Sequence, residues 1–131
     1  MTKTITRVSD VMQQEVPTVD GMATSVEAAE MMRSHGVSEL LVQKRNADDA
    51  WAIITIMDLI KEVIVPDKEG KDVYVYEIMT KPVITVPADM DIRYAIRLIH
   101  RTGVHRAPVE NKGEIVGMVT LDSLVLDNDI L

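Results

Sequence analysis

Thr102-Gly103-Val104-His105-Arg106-Ala107-Pro108-Val109 is the stretch of sequence that decides the fold. An amphipathic helix is expected to end at Gly103, because glycine readily adopts the left-handed conformation that terminates helices. An apolar strand, Ala107-Pro108-Val109, begins soon afterwards. His105-Arg106, the only adjacent His-Arg pair in the chain, lies between them at a turn. The stretch therefore predicts a helix–turn–strand junction with a basic pair at its centre.

The first half of the chain contains this junction in a weaker form, from Gly36 to Val42. When the sequence is shifted against itself by 67 residues, residues 8–42 align on residues 75–109 without a gap. Two additional residues in the first copy, within Asn46–Ala50, then change the shift to 65 residues. Two copies with so long a period indicate a duplicated domain and not a solenoid. The identical pairs are Val8/Val75, Met12/Met79, Val16/Val83, Thr18/Thr85, Val19/Val86, Ala28/Ala95, Gly36/Gly103, Val37/Val104 and Val42/Val109.

Both copies contain the same predicted elements in the same order. A one-turn helical segment leads into a short strand, and a longer amphipathic helix follows. In copy one this helix begins at a capping box formed by Thr24 and Glu27, and in copy two it begins at Asp91. Two strands joined by a polar turn, and a final helix after Thr55 or Thr120, complete each copy. The sequence therefore predicts an α+β fold of two β-α-β-β-α repeats.

The length and composition fit one compact module. The chain has 131 residues, of which 47% are apolar, enough for a real hydrophobic core. Aromatic residues make up only 3%, so the core is expected to be aliphatic. We divide the module into repeat 1 at residues 1–66, a linker at 67–74 and repeat 2 at 75–131.

Composition also excludes several classes of function. The net charge of −7 argues against nucleic acid as a partner, since phosphate backbones require clustered cations. The absence of cysteine excludes disulfides and thiolate metal sites, and the three histidines have no spacing suited to a metal. No apolar run approaches the length of a membrane span, and the first twelve residues lack the apolar run of a signal peptide. We therefore expect a cytoplasmic chain that uses no metal and contacts no membrane.

Three motifs resemble a tandem pair of cystathionine-β-synthase (CBS) domains. Gly103-Val104-His105-Arg106-Ala107-Pro108-Val109 is similar to the Gly-aliphatic-x-x-aliphatic-Pro-Val segment of that family. Gly117-Met118-Val119-Thr120 is similar to its Gly-aliphatic-aliphatic-Thr segment, and Thr55-Ile56-Met57-Asp58-Leu59 to its Thr-x-x-Asp-Leu segment. The resemblance extends from Val8 to about Leu126 and rests on the order and duplication of the motifs.

The resemblance implies an architecture and a class of function. The two repeats are expected to pack sheet to sheet around a pseudo-two-fold axis and to leave two clefts, which in this family commonly bind adenosine-containing ligands. Such modules commonly form homodimers and are typically regulatory, not catalytic. A chain made of nothing but this pair is expected to be a free-standing sensor that acts on an unidentified partner protein.

Asp58 is the first candidate ligand residue. A carboxylate can accept hydrogen bonds from both ribose hydroxyls, and the resemblance gives that role to the Asp of Thr-x-x-Asp. From the residues alone, Asp58 has a second interpretation as the cap of the last helix. Copy two has Ser123 at the matching position and Asp122 one place earlier. We therefore predict that the cleft centred on copy two is impaired or has a different specificity.

His105 and Arg106 are the next candidates, as phosphate contacts. The resemblance to adenylate-binding members of the family implies that the pair completes the site whose ribose residue is Asp58. Copy one has Ser38 and Glu39 at the equivalent positions, and Glu39 would repel a phosphate. One competent site is therefore expected. The alternative is a surface turn in which Arg106 makes an ordinary salt bridge.

The remaining candidates follow from the same motifs. Thr55 is expected to bond the phosphate, or else to be an ordinary β-branched strand residue. Lys81 is a further phosphate contact by position. Val16, Pro17 and Thr18 are expected to line the base, and Ser38, Leu40, Pro108 and Thr120 complete the candidate set.

The function predicted from these residues is a regulatory adenine-nucleotide sensor. AMP is the first ligand expected, with ADP, ATP or S-adenosylmethionine as alternatives. A second hypothesis is a nucleotide-independent dimerisation module with vestigial clefts. The third hypothesis is an enzyme, and no nucleophile–base pair that would support it is visible in the sequence.

Overall fold

The predicted order of elements is confirmed in the computed structural model, which describes residues 4–131. Each copy has the order β-α-β-β-α after a one-turn lead-in helix, so the α+β fold class is also confirmed. The helix after β3 continues as a π-helical segment, Ile60–Ile64, and Gly70–Asp72 forms a short 3₁₀ helix. The named elements are α1 (Val8–Val11), β1 (Thr18–Val19), α2 (Ser25–His35), β2 (Glu39–Val42), β3 (Ala52–Thr55), α3 (Ile56–Leu59), α4 (Val75–Ile78), β4 (Val86–Pro87), α5 (Ile92–Thr102), β5 (Arg106–Asn111), β6 (Glu114–Thr120) and α6 (Leu121–Leu126).

The elements belong to two units, each with one three-stranded sheet. The copy-one unit is Pro17–Val83, and the copy-two unit joins Ile84–Leu131 to the segment that ends at Val16. Each unit therefore takes its sheet from one copy and its lead-in helix from the other. The boundaries of the sequence repeats, 1–66 and 75–131, are therefore not the boundaries of the two structural units. The linker at 67–74 lies in the copy-one unit.

In the copy-one unit, β2 is the central strand of the sheet. It runs parallel to β1, with Thr18 opposite Leu41, and antiparallel to β3, with Glu39 opposite Thr55. Leu40 lies on the face that packs against α2. The predicted capping box of α2 is confirmed by the bonds between Thr24 and Glu27, as is its end at Gly36. The buried core of this unit includes Val19, Ala28, Met32, Leu40, Val42, Ala52 and Ile54.

The copy-two unit repeats this arrangement with β5 at the centre. Val86 of β4 lies opposite Val109, and Arg106 lies opposite Thr120 of β6. Asp91 accepts a hydrogen bond from Arg93 N and caps α5, as predicted. The helix ends at Gly103 with a φ of 79°, in the left-handed region. The buried core of the copy-two unit includes Val86, Ile92, Ala95, Ile99, Ala107, Val109, Val119 and Leu124.

The segment after each lead-in helix pairs with the last strand of the unit it joins. Gln13 exchanges two backbone hydrogen bonds of 2.9 Å with Met118 of β6, and Thr80 exchanges bonds of 2.8 and 3.0 Å with Ile53 of β3. Gly117 makes the first approach possible, because a Cβ there would lie 2.8 Å from Gln13 O and would overlap the Met12 thioether. The glycine of the Gly-aliphatic-aliphatic-Thr segment thus has a packing explanation.

Gly117→Ala is expected to destabilise the fold by about 1–3 kcal/mol, the usual cost of overpacking. The added methyl group would displace backbone as well as a flexible side chain. Equilibrium urea denaturation measures the effect. Gly21→Ala is the matched control, because its Cβ would lie 3.5 Å from Tyr76 Cβ, an ordinary contact. Equal midpoints for the two variants would contradict this explanation.

Within residues 4–131, no helix has both the length and the apolar character needed to cross a bilayer.

Candidate functional site

Thr55 and Asp58 form a closed hydrogen-bonded corner where β3 meets α3. Asp58 Oδ2 accepts from Thr55 N at 2.9 Å and from Thr55 Oγ1 at 3.2 Å. Thr55 Oγ1 in turn accepts from Asp58 N at 3.2 Å. These bonds form a capping box, so the structural interpretation of Asp58 as a helix cap is confirmed.

The cap leaves one oxygen of Asp58 available. Both recorded bonds to the carboxylate reach Oδ2, and no residue within 4–131 bonds to Oδ1. The half-buried side chain is therefore held in one orientation by Thr55 and presents a second acceptor. A carboxylate fixed in this way suits a ligand that donates hydroxyl groups.

The equivalent corner in copy two has no such acceptor. Thr120 Oγ1 accepts from Ser123 N at 3.1 Å, which preserves the cap. The Ser123 hydroxyl donates to Asp127 Oδ2 at 2.8 Å. Asp122 is exposed and lies one position before Ser123. The two corners therefore differ in chemistry although their backbones match.

The positions of His105 and Arg106 lie beside the copy-two corner. Arg106 opens β5 directly opposite Thr120 and is half-buried, whereas His105 is exposed. His105 O accepts from Leu121 N at 2.8 Å and ties this turn to the start of α6. The predicted meeting of Arg106 with Asp58 joins residues of different units and stays a prediction.

Ser38 and Glu39 occupy the same two positions in copy one. Glu39 lies opposite Thr55 and is 5% exposed. Ser38 Oγ donates to Glu39 Oε2 at 3.1 Å, and Ser38 O accepts from Ile56 N at 2.9 Å. The structure thus brings Ser38, Glu39, Thr55 and Asp58 together at one corner.

The other predicted site residues have mixed environments. Val16, Pro17 and Thr18 are half-buried, and Pro17 O accepts from Leu41 N at 3.0 Å beside β1. Leu40 is fully buried in the core, and Pro108 is also fully buried, which favours packing roles for both side chains. Contact of these residues with a ligand stays a prediction.

Lys81 lies at the opposite end of β3 from Thr55, where it forms an ion pair with Asp49. Thr80 pairs with Ile53, and Val83 N donates to Trp51 O at 3.0 Å, so this segment runs away from the Thr55 corner. The predicted phosphate contact at Lys81 is therefore separated from Asp58 within the copy-one unit.

Asp49 organises a charged cluster that sequence reasoning missed. Its Oδ2 accepts from Arg45 N at 2.9 Å and from Arg45 Nε at 3.2 Å, while Oδ1 accepts from Lys81 Nζ and Ala50 N. Lys81, followed by Arg45, holds the pKa of the Asp49 carboxyl well below its ordinary value of 3.8. The available signal was the extra length of this hairpin loop relative to copy two.

Asp49→Asn is expected to lower the urea midpoint at pH 7, because the ionised carboxylate holds both cations. A depressed pKa stabilises the fold fully above the ordinary value of 3.8, and this stabilisation is lost as the pH falls below it. The difference from the parent protein should therefore shrink between pH 7 and pH 3. Asp48→Asn, in the same exposed loop, is the control. A difference that grows on acidification would contradict this assignment.

No cluster of three or more His, Asp or Glu side chains suited to a metal ion occurs in the part of the chain that the structure describes.

Comparison with known families identifies the fold. The model of the CBS domain matches residues 8–65 and again residues 75–126. The chain belongs to the CBS domain family. The match includes both Thr-initiated corners and both helix–turn–strand junctions, so the resemblance inferred from the motifs is confirmed.

Three similar proteins indicate how far the likeness extends. An uncharacterized protein of Methanopyrus kandleri is 34% identical over 119 residues, which cover 90% of this chain but 60% of that protein. The hexameric CBS-CP12 protein from bloom-forming cyanobacteria has a TM-score of 0.89 at 28% identity, over 96% of this chain and 74% of its own. The CBS domain pair of protein MJ0100, in complex with 5′-methylthioadenosine and S-adenosyl-L-methionine, has a TM-score of 0.78 at 24% identity and covers 92% of this chain and 94% of its own. That last likeness shows the fold alone.

Proposed function

We propose that this CBS pair is a regulatory module that binds an adenine nucleotide, AMP in the first place, at a single site. The proposal rests on the hydrogen bonds of the Asp58 carboxylate. Its carboxylate is oriented through Oδ2, and Oδ1 has no partner within residues 4–131. Ribose hydroxyls are suitable donors for such an acceptor. The hydroxyl of Ser123 already donates to Asp127, which supports one site and not two.

The phosphate end of the proposed site comes from copy two. Arg106 has a planar fork that bonds two phosphate oxygens at once, and His105 lies next to it on the exposed side. Thr55 orients the ribose acceptor, because its hydroxyl donates to Asp58 Oδ2. The half-buried Val16–Thr18 segment contributes the wall against the base. ADP, ATP and S-adenosylmethionine remain alternative ligands.

The fold itself supports an adenosine-containing ligand. The CBS pair of MJ0100 holds 5′-methylthioadenosine and S-adenosyl-L-methionine, and this chain shares its fold at a TM-score of 0.78. Neither of those ligands carries a phosphate. The choice of AMP therefore rests on the residues of this chain, above all Arg106.

In the proposed mechanism, ligand occupancy changes the affinity of the pair for a partner protein. Such a shift requires that the ligand bind one conformational state more tightly than another. A homodimer is part of this proposal, and the cyanobacterial relative of the same fold is hexameric. The regulated partner and the cytoplasmic location stay predictions from sequence.

Calorimetric titration tests the proposal. The protein is unfolded, washed free of bound nucleotide, refolded and titrated separately with AMP, ADP, ATP and S-adenosylmethionine. We expect AMP to bind with a stoichiometry of one per chain. No heat from any of the four would eliminate the nucleotide-sensor function, and two AMP molecules per chain would contradict the single site.

The alternative is a nucleotide-independent interaction module. The observation that favours it is the capping box, which gives Asp58 a complete structural role without any ligand. This alternative predicts self-association that nucleotide leaves unchanged. It also predicts no rise in Tm with any of the four compounds, since only a ligand bound to the native state stabilises it.

A further inference from the structure

A cavity of about 650 Å³ opens in the copy-one unit, away from the Thr55 corner. It lies at the end of the sheet where Val42 pairs with Ala52, beside the hairpin loop that contains Asp49. Thr55 and Asp58 lie at the other end of β3 and do not line it. Its volume falls in the range of small-molecule sites.

Three cations line this cavity: Lys44, Arg45 and Lys81. These three side chains form a local positive cluster, although the net charge of the chain is −7. The two carboxylates at the cavity already have partners. Asp20 Oδ1 accepts from Met22 N at 2.8 Å, and Asp49 accepts from Arg45, Lys81 and Ala50.

Asp49 positions the cations without using all their donors. Its side chain is 7% exposed, and five donor groups surround its two oxygens, which fills its accepting capacity. Lys81 has three N–H donors and Arg45 has five on its guanidinium group, so each retains donors beyond those that reach Asp49. Because the pKa of Asp49 is depressed, the carboxylate stays charged and holds both cations at physiological pH.

Apolar side chains also line the cavity. Met22, Tyr76 and Met79 line it, and Met22 and Tyr76 are 65% and 51% exposed. The Tyr76 ring stacks on Tyr74 with centroids 5.9 Å apart. A ligand with an apolar body would cover these exposed surfaces while its charged group met the cations.

The equivalent cavity of the copy-two unit has a different charge. It is lined by Asp89, Glu110 and Lys112, so carboxylates outnumber cations there. Glu110 accepts from Thr85 Oγ1 at 2.9 Å. The cationic cluster is therefore a property of the copy-one unit and not a general consequence of the repeated fold.

We propose that the copy-one cavity binds a small amphipathic anion, a molecule with a phosphate or carboxylate group on an apolar body. The anionic group bonds to Lys81, Arg45 and Lys44, and the apolar body packs against Met22, Tyr76 and Met79. Asp49 acts as a positioning residue for the two cations that it contacts. This site is separate from the proposed nucleotide site and does not depend on it.

A matched set of naphthalene probes tests the proposal by chemical-shift perturbation on ¹⁵N-labelled protein. The probes are 1-naphthyl phosphate, 1-naphthoate, neutral 1-naphthylmethanol and cationic 1-naphthylmethylamine. We expect saturable shifts at the cavity residues from at least one anion, with the alcohol at least about tenfold weaker and the amine inactive. Preference for the phosphate or the carboxylate tells which anion the site takes. Equal binding of alcohol and anions would overturn the proposal.

Two charge-removing variants locate the anionic end. Lys81→Met and Arg45→Gln are each expected to weaken anion binding about tenfold, whereas Lys68→Met, an exposed lysine outside the cavity, should leave it unchanged. Unchanged affinity in both cavity variants would overturn the assignment. Asp58→Asn should retain the anion shifts even if it abolishes nucleotide binding, so failure of one site is distinguishable from failure of the other.

Discussion

Asp58→Asn is expected to weaken AMP binding by about 100-fold or more while the fold remains intact. Asparagine retains one carbonyl oxygen, which can accept from Thr55 N and preserve the cap now made by Oδ2. The group then facing the ligand is an amide NH₂, which donates and cannot accept from ribose hydroxyls. Each lost hydrogen bond to a charged group is worth about 1.5–3 kcal/mol, so two of them account for the expected loss.

Calorimetry on the refolded, nucleotide-free variant measures this effect, and urea denaturation checks the fold. Ser123→Ala is the matched control at the equivalent position of copy two. Its hydroxyl bonds to Asp127, so we expect nearly unchanged AMP affinity. Similar losses in the two variants would contradict the single-site assignment, and unchanged affinity in Asp58→Asn would leave the carboxylate as a helix cap alone.

The helix–turn–strand junctions were predictable because local chemistry specifies them. The Thr24–Glu27 capping box and the helix ends at Gly36 and Gly103 each depend on a few neighbouring residues. Because the sequence repeats, the order of elements in copy one also predicted the order in copy two. Local agreement between capping, periodicity and turn residues is what makes such a fold readable from its sequence.

The exchange of lead-in segments was not predictable in the same way. Gln13 pairs with Met118, and Thr80 pairs with Ile53 of the preceding copy. No local propensity marks these bonds, which join residues far apart in the chain. Gly117 offered a clue, since a glycine inside a strand often marks a close backbone approach. Its partner could not be named from the sequence.

The candidate site could be predicted only in part, because some of its contacts join residues that are far apart in the chain. The Thr-x-x-Asp spacing suffices to predict the hydrogen bonds between Thr55 and Asp58, because a capping box requires that spacing. Lys81 was assigned by position to the same site, but its contact with Asp49 depends on how the segment after α4 runs along β3. The distance of Lys81 from the Thr55 corner therefore could not be inferred from its position in the sequence, and its contact with a phosphate stays a prediction.

Arg106→Gln is expected to reduce the affinity for AMP about 10- to 100-fold and to leave the affinity for adenosine nearly unchanged. Arg106 is the proposed bidentate phosphate contact, and a charge-assisted hydrogen bond is worth about 1.5–3 kcal/mol. Adenosine lacks the phosphate and so does not use this group. In the parent protein AMP should therefore bind more tightly than adenosine, and in the variant the two should bind almost equally.

Parallel calorimetric titrations with AMP and adenosine separate a phosphate contact from damage to the fold. Arg101→Gln, at an exposed position near the end of α5, controls for the loss of one positive charge from the chain. Because surface charges act weakly over distance at physiological salt, this control should retain the preference for AMP. Equal losses for AMP and adenosine in Arg106→Gln would indicate a structural role at the start of β5 opposite Thr120. An unchanged preference would show that the phosphate is held elsewhere.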